Sequence, residues 1–163
     1  MRPPLHGIRV IDLTVAAAGP FATTILAEQG ADVIKVERPG SGDFMRSLGT
    51  VHNGVTGVFA GFNRGKRAIA LDLKHPEGLA LLHDCRPSLL LVDLQLPDVS
   101  GATIIEFCRR SPALSSMPVI VLTADASVPT RRAIEALGVT HLAVKPFDLV
   151  ELRVVVESLL AYG

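Results

Sequence analysis

The feature that most constrains this chain is an alternation: short β-branched apolar runs follow one another along it, each separated from the next by an amphipathic stretch of helical length. Apolar runs joined by helical crossovers mark a parallel sheet covered on both faces. Strands are expected at Ile8–Asp12, Val33–Val36, Ala68–Leu73, Leu89–Asp93, Val119–Leu122 and Thr140–Val144. Helices are expected from Gly19-Pro20 to about Glu28, Pro76 to Asp84, Gly101 to Arg110, Pro129 to Leu137 and Leu149 to Ala161. Gly30 closes the first of these and Pro76 stands in the first turn of the second, as helix ends require. Short right-handed connections leave one natural winding, an open, mostly parallel, doubly wound α/β sheet. This is a three-layer sandwich of Rossmann or flavodoxin type, about six strands in the order 3-2-1-4-5-6, with its ligand crevice beyond the carboxyl ends of the strands.

One stretch breaks the alternation. Residues 37–66 are rich in Gly, Ser, Asn, Arg and Pro, far longer than the usual few-residue connection, so an insertion or ligand loop is expected there. With 163 residues in all, a single domain carrying that insertion is the expectation.

Composition removes several classes of function. Lys plus Arg and Asp plus Glu are both 16, so no net basic field exists to hold nucleic acid or an anionic membrane. Aromatic residues make up 4% with no Trp, which leaves no material for base-stacking platforms. Cys85 and Cys108 lack CxxC spacing and read as reduced thiols of a cytoplasmic protein. The first ten residues have no apolar leader core, and no apolar run reaches membrane-spanning length. His6, His52, His75, His83 and His141 are scattered without metal-ligand spacing.

The text GIRVIDLTVAAAGPFATTILAEQGADVIKVERPGSGDFMRSLG, followed by FNRGKRAIALDLKHPEG, resembles the amino-terminal part of family III CoA-transferases of the formyl-CoA transferase type. It covers about residues 1–82. The resemblance implies CoA contacts at Arg38 and at Leu71, Asp72, Leu73 and Lys74, with Ala16 to Ala18 near the active-site entrance. Arg38, Arg64, Lys66, Arg67 and Lys74 also surround a Gly-rich segment where phosphates of a nucleotide-like ligand could be met. The bland alternative is a set of solvated loop charges, since Gly40 and Gly42 form no full dinucleotide fingerprint. The family's nucleophilic Asp belongs to text not matched here, so CoA would be bound without turnover.

From about residue 83 onward the text RPSLLLVDLQLPDVSG, MPVIVLTADA and GVTHLAVKPF resembles the receiver domain of two-component response regulators. The resemblance places Asp93 at the phosphoacceptor position, Thr123 at the switch hydroxyl and Lys145 at the lysine before Pro146. The chemistry suits those types: a carboxylate can attack phosphorus in line, an ammonium can balance phosphoryl charge, and a hydroxyl can bond a phosphoryl oxygen. Two departures stand out. Receivers carry an acidic pair at the end of their first strand that holds Mg²⁺, and here Asp12 is followed by Leu13. Asp12, Asp93 and a carbonyl near Gln95 are therefore expected to hold Mg²⁺ only weakly. The aromatic switch position carries Leu142.

The two resemblances together lead to one hybrid α/β domain. Its leading function is a receiver-like phosphoacceptor module of a two-component phosphorelay, impaired in metal binding, with a histidine kinase or small phosphodonor as partner. The alternatives are a truncated CoA-transferase-like protein that binds CoA, and a chimera whose halves fold together without a selected activity.

Overall fold

The computed structural model describes residues 2–161. Six parallel strands form the main sheet: β1 (Arg9–Leu13), β2 (Asp32–Glu37), β5 (Arg67–Ala70), β6 (Leu89–Asp93), β7 (Val119–Thr123) and β8 (His141–Val144). Their spatial order is β5-β2-β1-β6-β7-β8. The numerals differ from the expected order only because a separate two-stranded hairpin, β3 (Val51–His52) with β4 (Val55–Thr56), intervenes in the chain. The helices are α1 (Ala18–Glu28), α2 (Gly57–Phe62), α3 (Pro76–Asp84), α4 (Gly101–Arg110), α5 (Val128–Ala136) and α6 (Leu149–Ala161).

Successive strand residues point to opposite faces, and both faces are covered, which is why β6 and β7 are buried at every position. Val10, Leu89, Leu91, Ile120 and Leu122 meet Leu26, Leu152 and Val156 on the side of α1 and α6. Ile11, Leu13, Leu90, Val92 and Val121 meet Leu82, Ile104, Ile105 and Ile134 on the side of α3, α4 and α5. The seam between the two halves is a regular parallel ladder, with Val10 opposite Leu89 and Leu13 opposite Val92. Each half thus completes a core that the other begins.

Residues 37–66 fold into elements rather than a bare loop. Asn53 and Gly54 take positive φ values of 50° and 79°, the backbone that a two-residue hairpin turn between β3 and β4 demands. Glu37 accepts two bonds from Arg46, at 2.7 Å each, and one from the Asp43 amide at 2.9 Å. Arg46 also stacks 3.7 Å above the Phe59 ring. Charged residues that the sequence presents as solvated loop text therefore bind the insertion to the end of β2.

Helix starts follow local chemistry. Ser100 caps α4, Ser127 caps α5, and the Asp148 carboxylate accepts the first free amides of α6. Gly101 has a further role. A Cβ there would lie 2.4 Å from the Asp93 carbonyl oxygen, so glycine lets α4 begin directly against the end of β6.

Candidate functional site at the carboxyl edge of the sheet

Parallel strands bring Asp93, Thr123 and Lys145 to one edge. Thr123 lies beside Val144 in the ladder, and the Thr123 carbonyl accepts the Lys145 amide at 2.7 Å. From there the Lys145 ammonium reaches the Asp93 carboxylate and donates to Oδ1. The other oxygen, Oδ2, accepts the Val15 amide at 2.8 Å. That amide is presented by the β1–α1 loop, where Ala16 adopts a φ of +66°, an uncommon backbone for a residue with a side chain. Asp93 is 2% exposed. Burial pushes its carboxyl above the ordinary value; Lys145 and the Val15 amide oppose that, and the negative charge of Asp12 adds to it. Thr123 is also buried, and its hydroxyl oxygen accepts the Asp125 amide at 3.0 Å.

Asp12 has a different environment. Its Oδ1 accepts the Thr14 amide at 2.9 Å and the Thr14 hydroxyl at 2.6 Å. Its Oδ2 accepts the Thr23 hydroxyl at 2.6 Å and the Lys66 ammonium at 2.9 Å. Burial alone would raise this carboxyl, but Lys35, Lys66 and the two threonines outweigh it and hold it below the ordinary range. Leu13, at the second acidic position, is in the core on the opposite face of the sheet. Gln95 is exposed in the loop after β6, bridged to Ser100.

These placements bear on the expected metal set of Asp12, Asp93 and a carbonyl near Gln95. Mg²⁺ asks for an octahedron of oxygens, and Asp12 has no lone pair to spare for one. Among the described residues no group of three or more His, Cys, Asp or Glu side chains could hold a metal ion. Asp12, as placed here, offers Mg²⁺ no free carboxylate lone pair.

The expected CoA residues divide. Arg38, Leu71 and Leu73 line a cavity of about 280 Å³ together with Leu13, Val36, Leu96 and Val99. Lys35 and Asp43, paired at 2.9 Å, lie in its wall. Asp72 and Lys74 are not part of that wall; they sit on an exposed turn where the Asp72 carboxylate accepts the Lys74 amide. The basic cluster around the glycines does not converge either. Arg38 pairs with Asp98 at 3.1 Å, Arg64 with Glu28, Arg67 with Asp32, and Lys66 with Asp12. Two features of the site were missed in the sequence: the Val15 amide, a backbone group, and the pairing of Lys66 with Asp12, since Lys66 was read only as a possible phosphate contact.

Comparison with known proteins finds the same two families, with matches that overlap over residues 64–85 rather than meeting at residues 82 and 83. The family model of the response regulator receiver domain matches residues 64–157, and that of CoA-transferase family III matches residues 5–85. A mouse succinyl-CoA:glutarate CoA-transferase is 48% identical over 82 residues, covering 50% of this chain and 19% of the relative. A formyl-CoA:oxalate CoA-transferase of Afipia carboxidovorans is 47% identical over 83 residues, covering 50% of this chain and 20% of the relative. The chain thus spans about a fifth of the length of these relatives. Among solved structures, a CAIB/BAIF family protein from Brucella suis superposes with a TM-score of 0.62 at 27% identity, covering 76% of this chain and 34% of the other. A chemotaxis response regulator of Vibrio cholerae superposes with a TM-score of 0.61 at 16% identity, over 93% of this chain and 98% of the regulator. That last likeness is one of fold.

Proposed function

The chain belongs to the response regulator receiver family over residues 64–157, and on that premise we propose that it is a signalling module that accepts a phosphoryl group on Asp93 from a histidine kinase or a small phosphodonor. One observation carries this reading: the Asp93 carboxylate ends its strand held between the Lys145 ammonium and the Val15 amide. In the transfer an Asp93 oxygen attacks phosphorus, the bond from phosphorus to the donor nitrogen breaks, and the departing nitrogen takes a proton from water. Lys145 offsets the charge that gathers on the phosphoryl oxygens, and Thr123 stands one strand away at the same edge. Transfer is slow, because the carboxylate is buried and the acidic pair that would hold a metal is incomplete.

The test is the intact mass of the protein after incubation with phosphoramidate. One phosphoryl group is expected on the wild type and none on Asp93→Asn. An adduct that persists in Asp93→Asn, or no adduct on either protein, overturns the reading.

A second reading rests on the cavity that Arg38, Leu71 and Leu73 line, together with the CoA-transferase match. In this reading the chain binds CoA there without turning it over. Calorimetric titration with CoA would show saturable binding that Arg38→Ala weakens; no heat with the wild type removes the proposal.

A further inference from the structure

The Lys66 side chain, at the end of the insertion, is driven into the protein: it is 1% exposed, and the Asp12 side chain that it meets is 0% exposed. Besides Asp12 Oδ2 at 2.9 Å, its ammonium donates to the Pro20 carbonyl at 2.8 Å, the Phe62 carbonyl at 3.1 Å and the Asn63 side-chain oxygen at 2.8 Å. Four acceptors surround three N–H bonds, so the cation is fully satisfied where it lies. It joins β1, the first turn of α1 and the end of α2 at one point.

We propose that the phosphoryl-acceptor edge of this chain takes no divalent cation, because the Lys66 ammonium, delivered by the insertion, is the resident countercharge of Asp12. The proposal rests on the reading of Asp93 as the acceptor position and specifies how that site is charged. Three observations support it. Every lone-pair direction of the Asp12 carboxylate is used, by Thr14 twice, by Thr23 and by Lys66. A metal at Asp12 would have to displace an ammonium whose side chain is almost wholly shielded from solvent, leaving like charges side by side. The position that would supply a second carboxylate holds Leu13, whose side chain packs in the core on the far face. Asp93 is therefore left with Lys145 and the Val15 amide as the groups that answer its charge.

Two measurements on the full chain test this. Electron paramagnetic resonance of Mn²⁺ reports the free ion in the presence of wild type, Asp12→Asn and Asp93→Asn. Phosphoramidate labelling is followed by intact mass with Mg²⁺ and, separately, with EDTA. The expected result is no Mn²⁺ uptake that depends on Asp12 or Asp93, and the same labelling rate in both buffers. Mn²⁺ uptake by the wild type that either substitution removes, or labelling that accelerates with Mg²⁺, overturns the proposal. No label in either buffer, with no such Mn²⁺ uptake, sinks the reading of Asp93 as acceptor and leaves the metal-free site standing. The labelling comparison between Mg²⁺ and EDTA uses the wild type alone, so it does not depend on whether Asp12→Asn folds.

Discussion

Asp12 and Asp93 lie on paired strands of one sheet and, by strand alternation, on the same face, yet their surroundings give them opposite properties. Asp12, in the CoA-transferase-like half, is sealed by two threonines and an ammonium, and its carboxyl is held below the ordinary value of 3.8. Asp93, in the receiver-like half, is held by one ammonium and one amide, and burial leaves its carboxyl above that value. Identical chemistry at neighbouring strand ends is thus divided into a structural anchor and a group with unspent reactivity. The difference comes from what the connecting segments deliver. The insertion brings Lys66 to Asp12, whereas a short loop brings only the Val15 amide to Asp93.

The sharpest way to break this comparison is to remove the anchor. Asp12→Ala leaves Lys66 buried without its countercharge, and a loss of about 3–5 kcal/mol is expected in urea unfolding. A loss under about 1 kcal/mol would show that Lys66 finds another partner or reaches water, and Asp12 would no longer count as an anchor. Gly101→Ala probes the other side. Its Cβ would lie 2.4 Å from the Asp93 carbonyl oxygen, a backbone atom that cannot swing aside, so α4 or the end of β6 must shift. A loss of about 1–3 kcal/mol is expected, together with reduced labelling of Asp93. Full stability with normal labelling would mean that the α4–β6 contact does not position the acceptor.

The two carboxyls also predict opposite pH behaviour. Asp12, held low, contributes stability that is present above 3.8 and lost as pH falls through its folded value. Asp93, held high, contributes stability that is fully present below 3.8 and lost as pH rises through its folded value. Above its folded value the ionised Asp93 is therefore a net cost, and Asp93→Asn should there be the more stable protein. Its advantage over the wild type should shrink as pH is lowered through the folded value toward the ordinary 3.8, because the wild-type carboxyl then takes up a proton. Parallel urea melts across that range check the sign; an advantage that grows on acidification contradicts the raised value.

Much of this organisation was legible in the sequence, and the boundary of legibility is physical. The central strands announce themselves because residues such as Leu89 to Val92 are apolar on both faces, a pattern set by burial, whereas β5 is exposed at every position and was legible from its alternating text. Asp93, Thr123 and Lys145 were singled out by the receiver resemblance, and they meet at one edge because parallel strands align their ends, with Lys145 directly following β8. Lys66 was not. Its charge suits a solvated loop equally well, and only the folding of residues 37–66 over β1 and α1 makes it a core residue. The short hairpin at Asn53-Gly54 was missed for a related reason: Val51 and Val55 are exposed, so no burial pattern marks those strands. The turn pair itself was the available clue. Val15 leaves no trace because what it contributes is an amide that every residue but proline carries.

The smallest effect is expected where the two halves meet at the surface. Arg38 leaves β2 on the CoA-transferase-like side and pairs with Asp98 in the loop after β6, with side chains 39% and 31% exposed. A pair so open to solvent contributes about 0–1 kcal/mol, and Arg38→Ala and Asp98→Ala should each fall in that range. Their double-mutant cycle should show little coupling in the free protein. If CoA occupies the adjoining cavity, Arg38 leaves Asp98 for the ligand, and Asp98→Ala should tighten binding because Arg38 is released from a competing carboxylate. Calorimetric titration of the two variants separates the cases: weaker binding in Arg38→Ala with tighter binding in Asp98→Ala makes this pair a gate to the cavity, whereas equal effects leave it a surface contact between two halves that the sheet already joins.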